Sequence, residues 1–360
     1  MRALSIYAGP RARAHFQKNG LHSADVSAIP AAAGGPKGLI LGPLDRFIFG
    51  QWLTQSSQPV HLVGASIGAW RMATACLADP VAMFNRLEHD YIHQDYALLP
   101  GEKRPSAQRV SDLFGANLQA FYGGRMPEVL QHPRYRLHVL TSHGQGLLAR
   151  EQPWRTAAGF ASAFLANAVS RPALGSWLER VIFSSACVTA ATQPATLPFD
   201  TSDYPTQQVL LTESNFQAAL QASCSIPFVL KAVHDIPGAP SGAYWDGGVT
   251  DYHLHLNWRG LVLYPHFQKS VVPGWLDKHL RWRHKASSFL DNVVVLAPRP
   301  DWVQTLPNGK LPDRTDFTRY GSNLAARVQA WSTAVADSAR LADEFAAWLD
   351  RPDLSEVQLL

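Results

Sequence analysis

The sequence predicts an α/β fold, and three observations lead to this prediction. Two apolar runs with strand character, 26–33 and 60–63, each end in a glycine-containing turn. Each turn is followed by an apolar stretch with helical character, 39–53 after the first and 67–77 after the second. Further short apolar runs with strand character follow at 135–141, 181–183, 209–211, 261–264 and 293–296. Residues 3–8 resemble an edge strand, but the sequence gives no reason for the placement of the first 25 residues.

The second turn has the pattern of a nucleophile elbow. Residues 64–68 read Gly-Ala-Ser-Ile-Gly and match G-x-S-x-G between a strand and a helix. In that context Ser66 lies at a sharp turn with its hydroxyl exposed, and Gly64 and Gly68 allow strand and helix to pass closely. The alternative is an ordinary strand-to-helix turn without chemistry.

The first turn, Gly34-Gly35-Pro36-Lys37-Gly38, provides free N–H groups at the start of a helix. One interpretation is a phosphate cradle, although neither the P-loop nor the dinucleotide pattern is present. The other is an oxyanion hole for Ser66, which follows about one strand–helix–strand unit later. Gly34, Gly35, Lys37 and Gly38 are therefore candidate oxyanion-hole residues, with a simple tight turn as the structural alternative.

The candidate general base is Asp246, which precedes Gly247 and Gly248 and follows an aromatic pair. Asp-Gly-Gly most often marks a β-turn, but here it also suggests a carboxylate at a strand end with close backbone approach. A Ser-Asp-His triad stays open, because histidines follow Asp246 in the chain order of an α/β-hydrolase. They are His253, His255, His266 and His279. The D-x-H-x-H pattern at 251–255 lacks a fourth ligand, so no metal site is predicted.

Three other segments carry predictions. Residues 80–134 are predicted to form an inserted helical cap, with basic residues Lys103, Arg104 and Arg109. Residues 274–290 combine tryptophans with basic residues, which fits a helix on a membrane surface or an amphipathic helix on the sheet. Apolar residues at helical spacing over 323–349 predict one long helix covering a face of the sheet.

Composition limits the function classes. The chain has 360 residues, 46% hydrophobic and 17% charged, with a net charge of +4 that does not argue for nucleic acid. Three cysteines in a long chain indicate reduced thiols rather than a disulfide framework. The absence of a signal-peptide pattern and of a membrane-length apolar run predicts a cytoplasmic protein, and peripheral contact with a membrane is compatible with this location.

The glycine turn, the elbow, residues 225–228 (Ser-Ile-Pro-Phe) and the Asp-Gly-Gly motif stand in the order typical of the patatin-like phospholipase family. The sequence resembles that family over about residues 25–255. The resemblance implies a single domain over residues 1–360, with a mostly parallel central sheet in a three-layer α/β/α arrangement. It also implies a Ser66–Asp246 dyad rather than a triad, and oxyanion donors in the glycine turn. The family has one more glycine where this chain has Ala33, and Pro36 cannot donate a backbone N–H.

The resemblance implies ester hydrolysis of lipids, of the phospholipase A or lysophospholipase type, through an acyl-enzyme and without a cofactor. A serine needs a base to attack an ester, and preorganised N–H groups stabilise the oxyanion that forms. The alternatives are a Ser-Asp-His esterase, an acyltransferase in which an alcohol replaces water, and a catalytically silent lipid- or partner-binding module. A phosphate-binding protein that uses the glycine turn is a further alternative. The expected partner is a lipid or small ester, not nucleic acid, and the oligomeric state is not predicted.

Overall fold

The computed structural model describes residues 1–96, 101–102, 105–188 and 190–360. The strands are β1 (Leu4–Ala8), β2 (Val26–Ala31), β3 (Val60–Ala65), β4 (Tyr135–Gly144), β5 (Leu178–Ser184), β6 (Ala186–Cys187), β7 (Ala190–Pro194), β8 (Phe199–Asp200), β9 (Thr206–Leu210), β10 (Val233–His234), β11 (Ala243–Asp246), β12 (Asn257–Trp258), β13 (Leu261–Pro265), β14 (Val293–Pro298) and β15 (Val357–Leu359). The α-helices are α1 (Pro10–Asn19), α2 (Gly42–Phe47), α3 (Ile67–Ala75), α4 (Pro80–His93), α5 (Ala107–Tyr122), α6 (Met126–Leu130), α7 (Pro153–Val169), α8 (Arg171–Leu174), α9 (Glu213–Ser223), α10 (Pro300–Val303), α11 (Thr315–Tyr320), α12 (Leu324–Asp337) and α13 (Ala339–Asp350).

A mixed sheet forms the centre of the fold. Within the described residues it contains eleven strands, in the order β10-β11-β4-β3-β2-β13-β14-β1-β15, with β5 and β9 continuing from β4. The five strands from β4 to β14 are mutually parallel, and antiparallel pairs occur towards the edges. The parallel strands are buried on both faces, as helix-covered sheets require. The predicted α/β fold with a mostly parallel central sheet flanked by helices is therefore confirmed.

The N-terminal residues belong to this sheet. Strand β1 pairs antiparallel with β14 on one side and parallel with β15 on the other. It is thus one strand in from the edge, which corrects the expectation of an edge strand. Helix α13 packs against it, where the carboxylate of Glu344 accepts hydrogen bonds from the N–H groups of Ala3 and Leu4 at 2.8–2.9 Å.

Three predicted helices have different forms in the structure. The stretch 39–53 is broken into a 3₁₀ helix (Gly35–Leu41), α2, a π-helical turn (Ile48–Trp52) and a last 3₁₀ turn (Leu53–Gln55). The predicted long C-terminal helix is two helices, α12 and α13, which meet at Ser338. Residues 274–290 contain only 3₁₀ turns, at Trp275–Asp277, Arg281–Arg283 and Ser288–Leu290, so neither predicted helical form of this segment is present.

The segment predicted as a cap is helical in its described part. Helix α4 begins after Asp79, whose carboxylate accepts from the N–H of Ala82, and α5 begins after Ser106 in the same way. Helix α4 packs on α3 and α12, and α5 packs on α9. Lys103 and Arg104, from the predicted basic stretch, lie outside the described residues.

Candidate active site

Ser66 lies at the tip of the turn between β3 and α3. Its backbone has φ 56° and ψ −130°, a strained conformation for a residue with a Cβ atom. The turn is tight enough that a Cβ on Gly64 would come within 2.5 Å of the Ala69 backbone. A Cβ on Gly68 would come within 1.9 Å of the Ala31 carbonyl oxygen. Both glycines of the motif are therefore required by close approach of the backbone.

Asp246 is brought to Ser66 by strand pairing along one edge of β4. Strand β3 occupies that edge up to the pair Ala65–Leu140. Strand β11 pairs with the next residues of β4 on the same edge, and its last residue, Asp246, pairs with Thr141. Ser66 and Asp246 thus meet where one neighbour of β4 ends and the next begins. The Ser66 hydroxyl donates a hydrogen bond to Asp246 Oδ2 at 2.7 Å.

The Asp246 carboxylate is buried. Burial raises the pKa of Asp246 above its ordinary value, and the hydrogen bond from Ser66 and the charge of Arg314 oppose that rise. The second oxygen, Oδ1, accepts the N–H of Gly248 at 2.7 Å. The glycine following Asp246 is also required, because a Cβ on Gly247 would lie 2.1 Å from the Leu140 carbonyl oxygen. The arrangement holds a carboxylate of raised basicity directly against a serine hydroxyl.

Residues that sequence analysis did not single out support the serine. Ser223 Oγ accepts the N–H of Ser66 at 2.9 Å and donates to the carbonyl of Leu140 at 2.7 Å. This links the elbow to β4 and to the end of α9. The buried thiol of Cys224 lies beside Ser66, and burial raises the pKa of that thiol well above its usual value. These positions precede the Ser-Ile-Pro-Phe stretch, but no sequence pattern distinguishes them.

The glycine turn lies on the same cavity as Ser66. Gly35 has φ 57°, in the left-handed region, and begins the 3₁₀ helix Gly35–Leu41. In such a helix each N–H bonds to the carbonyl three residues earlier, which engages the N–H groups of Lys37 and Gly38. Within the described part of the chain, the N–H groups of Gly34 and Gly35 donate to no protein acceptor. Of the four candidate oxyanion-hole residues, these two have N–H groups available to a ligand.

Side chains from distant parts of the chain complete the cavity, which has a volume of about 170 Å³. Besides Ser66, Asp246 and the glycine turn, its lining comes from the loop after α9, the turn at Trp275 and the residues before and at the start of α11. No described residue between 80 and 134 lines it, so the predicted cap lies beside this cavity. Lys37, Lys278 and Arg314 bring three cationic side chains to it.

The histidines that follow Asp246 do not join the pair. Within the described residues, no histidine hydrogen-bonds Ser66 or Asp246. His253 is buried, with Nδ1 near Ser270 O and Val272 N, and His255 contacts Ser287 Oγ. The neighbouring carboxylate, Asp251, is held by the buried guanidinium of Arg180 at 2.7–2.8 Å. Ser66 and Asp246 therefore form a hydrogen-bonded pair without a histidine from the described residues, and the carboxylate of the D-x-H-x-H pattern is engaged by an arginine.

The comparison with protein families decides the relationship. The family model for the patatin-like phospholipase matches residues 34–253, more than half of the chain. The chain belongs to the patatin-like phospholipase family. The comparison with curated proteins gives no match. The matched range begins at the glycine turn, contains the elbow and ends seven residues after Asp246.

Membership in the patatin-like phospholipase family carries a coarse functional statement. It supports an enzyme that acts on lipid esters. The matched range ends before Lys278 and Arg314, two residues that line the cavity. Across the described residues, helices are too short or too polar to span a membrane.

Proposed function

We propose that this patatin-like protein hydrolyses lipid esters through a Ser66–Asp246 dyad. The observation that carries the proposal is the 2.7 Å hydrogen bond from Ser66 Oγ to the buried Asp246 carboxylate. Asp246 accepts the proton of Ser66 as Oγ attacks the ester carbonyl, and the N–H groups of Gly34 and Gly35 bind the oxyanion. When the tetrahedral intermediate collapses, Asp246 gives this proton to the leaving alcohol, and the acyl group stays on Ser66. Water then attacks the acyl-enzyme, gives a proton to Asp246, and releases the acid and the free serine as the proton returns to Oγ.

The same proposal treats the chain as one domain. Strands β1, β2, β13 and β14 lie outside the range matched by the family, yet they pair in succession with one another, and β2 pairs with β3 inside that range. A second domain would interrupt this continuous pairing. Trp275, Lys278 and Arg314, also beyond that range, line the cavity that holds Ser66.

Covalent labelling tests the dyad most directly. A fluorophosphonate probe should label Ser66 in the wild-type chain, identified by peptide mass spectrometry, and should label neither Ser66→Ala nor Asp246→Asn. Labelling that survives in Asp246→Asn would move the base to another residue. Absence of labelling in folded wild-type protein would favour the silent binding module. Adding glycerol to an ester assay separates hydrolysis from acyl transfer, because only a transferase forms the new ester.

We also propose that the site works at an anionic lipid surface. The solvent-exposed side of α7 carries Trp154, Leu165 and Val169, which are 66%, 66% and 84% exposed, and the helix has no charged side chain after Arg155. Phe160 of α7 packs against the exposed Phe228, next to the part of the loop that lines the cavity. Exposed apolar area of this kind next to the basic side chain of Arg283, whose Nη1 donates to Asn167 of α7 at 3.1 Å, fits an interfacial surface.

Vesicle co-sedimentation tests this surface. The double variant Trp154→Ala/Leu165→Ser should lose several-fold in binding to vesicles that contain phosphatidylserine, whereas Leu113→Ser on α5 should bind like the wild type. Leu113 is a suitable control because it is also an exposed leucine on a helix. Equal binding by the double variant and the wild type would contradict the proposal.

A further inference from the structure

Three cationic side chains line the cavity of the candidate dyad without an ion-pair partner among the described residues. Lys37, Lys278 and Arg314 all line the cavity that contains Ser66 and Asp246. Among the described residues, none of the three has an acidic side chain within ion-pair distance, in contrast to many other basic residues of the chain.

The positions of these cations are held by aromatic and backbone contacts. Lys278 Nζ lies 4.1 Å from the ring centre of Tyr252 and 5.7 Å from that of Trp275. Lys37 Nζ lies 5.4 Å from the ring centre of Phe267. The Arg314 side chain lies close to the glycine turn: its Nε is 3.4 Å from the position that a Cβ on Gly35 would occupy.

The cavity lining has more cationic than acidic side chains, which favours the binding of a further anion. The lining has two carboxylates, and one of them, Asp313, is paired with Lys310 at 2.8 Å. With Asp313 paired to Lys310, the three cations of the lining outnumber its carboxylates. Partial burial lowers the pKa of Lys37, and burial with the nearby charges of Arg314 and Lys37 lowers the pKa of Lys278 to about 8. Cations that are partly removed from water without a counterion are unfavourable, and a bound anion relieves that cost.

We propose that Lys278 and Arg314, together with Lys37, form a phosphate-binding subsite that selects esters bearing a phosphate group close to the scissile carbonyl. This inference rests on the proposed hydrolase function of Ser66 and Asp246. An arginine offers a fork of donors suited to phosphate oxygens, and lysines add compact charges. Lys278 and Arg314 lie 25 and 61 residues beyond the range that the family model matches.

A matched pair of water-soluble substrates tests the subsite. 1-Butyrylglycerol 3-phosphate and 1-butyrylglycerol carry the same ester, and their solubility removes binding to lipid surfaces from the comparison. The wild-type chain should favour the phosphate ester at least tenfold in kcat/KM, mainly through KM. Lys278→Met and Arg314→Gln should each lower this preference, taken as the ratio of the two kcat/KM values, about tenfold.

Two variants provide matched controls. Lys285→Met and Arg319→Gln remove a lysine from the same loop and an arginine from the adjacent helix, and neither residue lines the cavity. Both should retain the wild-type preference. Equal losses on both esters in Lys278→Met and Arg314→Gln, or no preference in the wild type, would overturn the proposal. Thermal unfolding of each variant separates these effects from misfolding.

Binding of inorganic phosphate gives a readout that does not need catalysis. Calorimetry should detect phosphate binding to the wild-type chain that weakens about tenfold in Lys278→Met and Arg314→Gln but not in Lys285→Met. If the wild type hydrolyses neither ester, the hydrolase function fails, and phosphate binding alone then decides the subsite. Absence of phosphate binding overturns the subsite. Phosphate binding without a preference between the two esters would show an inhibitory anion site and overturn the role in substrate selection.

Discussion

The strained backbone of Ser66 leads to a prediction about two substitutions at one position. Ser66→Ala and Ser66→Gly both remove the hydroxyl and its 2.7 Å hydrogen bond to Asp246, so that loss is common to both. The backbone bond from the Ser66 N–H to Ser223 is retained in both. The two variants differ only in the Cβ atom, which alanine keeps at φ 56° and ψ −130° and glycine does not have.

The expected difference follows from two opposing free energies. A residue with a Cβ in a sparsely populated backbone region costs about 1–3 kcal/mol, which glycine relieves. Glycine gives the unfolded chain more conformational freedom, which costs about 0.5–1 kcal/mol. The midpoints of these two ranges differ by about 1 kcal/mol, so Ser66→Gly should exceed Ser66→Ala in free energy of unfolding by about that amount, although both variants are inactive.

Urea unfolding followed by fluorescence measures this difference. Ala73→Gly provides a control of opposite sign, because Ala73 lies in the interior of α3 and glycine is unfavourable there by about 0.5–1 kcal/mol. Equal stabilities of the two Ser66 variants, or a more stable Ser66→Ala, would refute the conclusion that the elbow holds its serine under backbone strain.

Three further predictions concern the base, the elbow and the cationic side chains of the cavity. The base must be ionised and burial raises the pKa of Asp246, so kcat/KM should fall on acidification at a higher pH than for an ordinary carboxylate. Arg314→Gln removes a charge that lowers this pKa and should move the fall to a still higher pH. An unchanged pH profile in Arg314→Gln would contradict the electrostatic effect of Arg314 on Asp246. Gly68→Ala places a Cβ 1.9 Å from a carbonyl oxygen of β2 and should cost several kcal/mol or prevent folding, whereas Gly38→Ala, with its nearest contact at 3.6 Å, should remain within about 1 kcal/mol of the wild type in urea unfolding. Because the pKa of Lys278 is about 8, the kcat/KM preference for the phosphate ester should decline between pH 7 and 9 in the wild type but stay flat in Lys278→Met.

Much of the architecture could be predicted because it follows local rules. The strands at 26–31 and 60–65, the turns after them and the helix from Ile67 have strong signals in short windows of sequence. The wrong predictions concern helices whose geometry depends on packing. The apolar stretch 39–53 is broken into four helical pieces, and residues 274–290 are held in an extended loop with 3₁₀ turns by contacts such as Asp277 with Asn167 and Arg283. Periodicity indicates an apolar face but not the contacts that interrupt a helix.

The sequence alone determined the family, the strand–turn–helix units and the candidate serine and carboxylate, because each is written in adjacent residues. Tertiary structure decided how those residues meet. Ser66 and Asp246 are 180 residues apart and are joined because β3 and β11 share one edge of β4. Tertiary structure also decided which cationic side chains line the cavity, since Lys278 and Arg314 come from loops with no motif of their own. Contacts between distant residues depend on how strands pair and loops pack, and a local pattern does not contain that information.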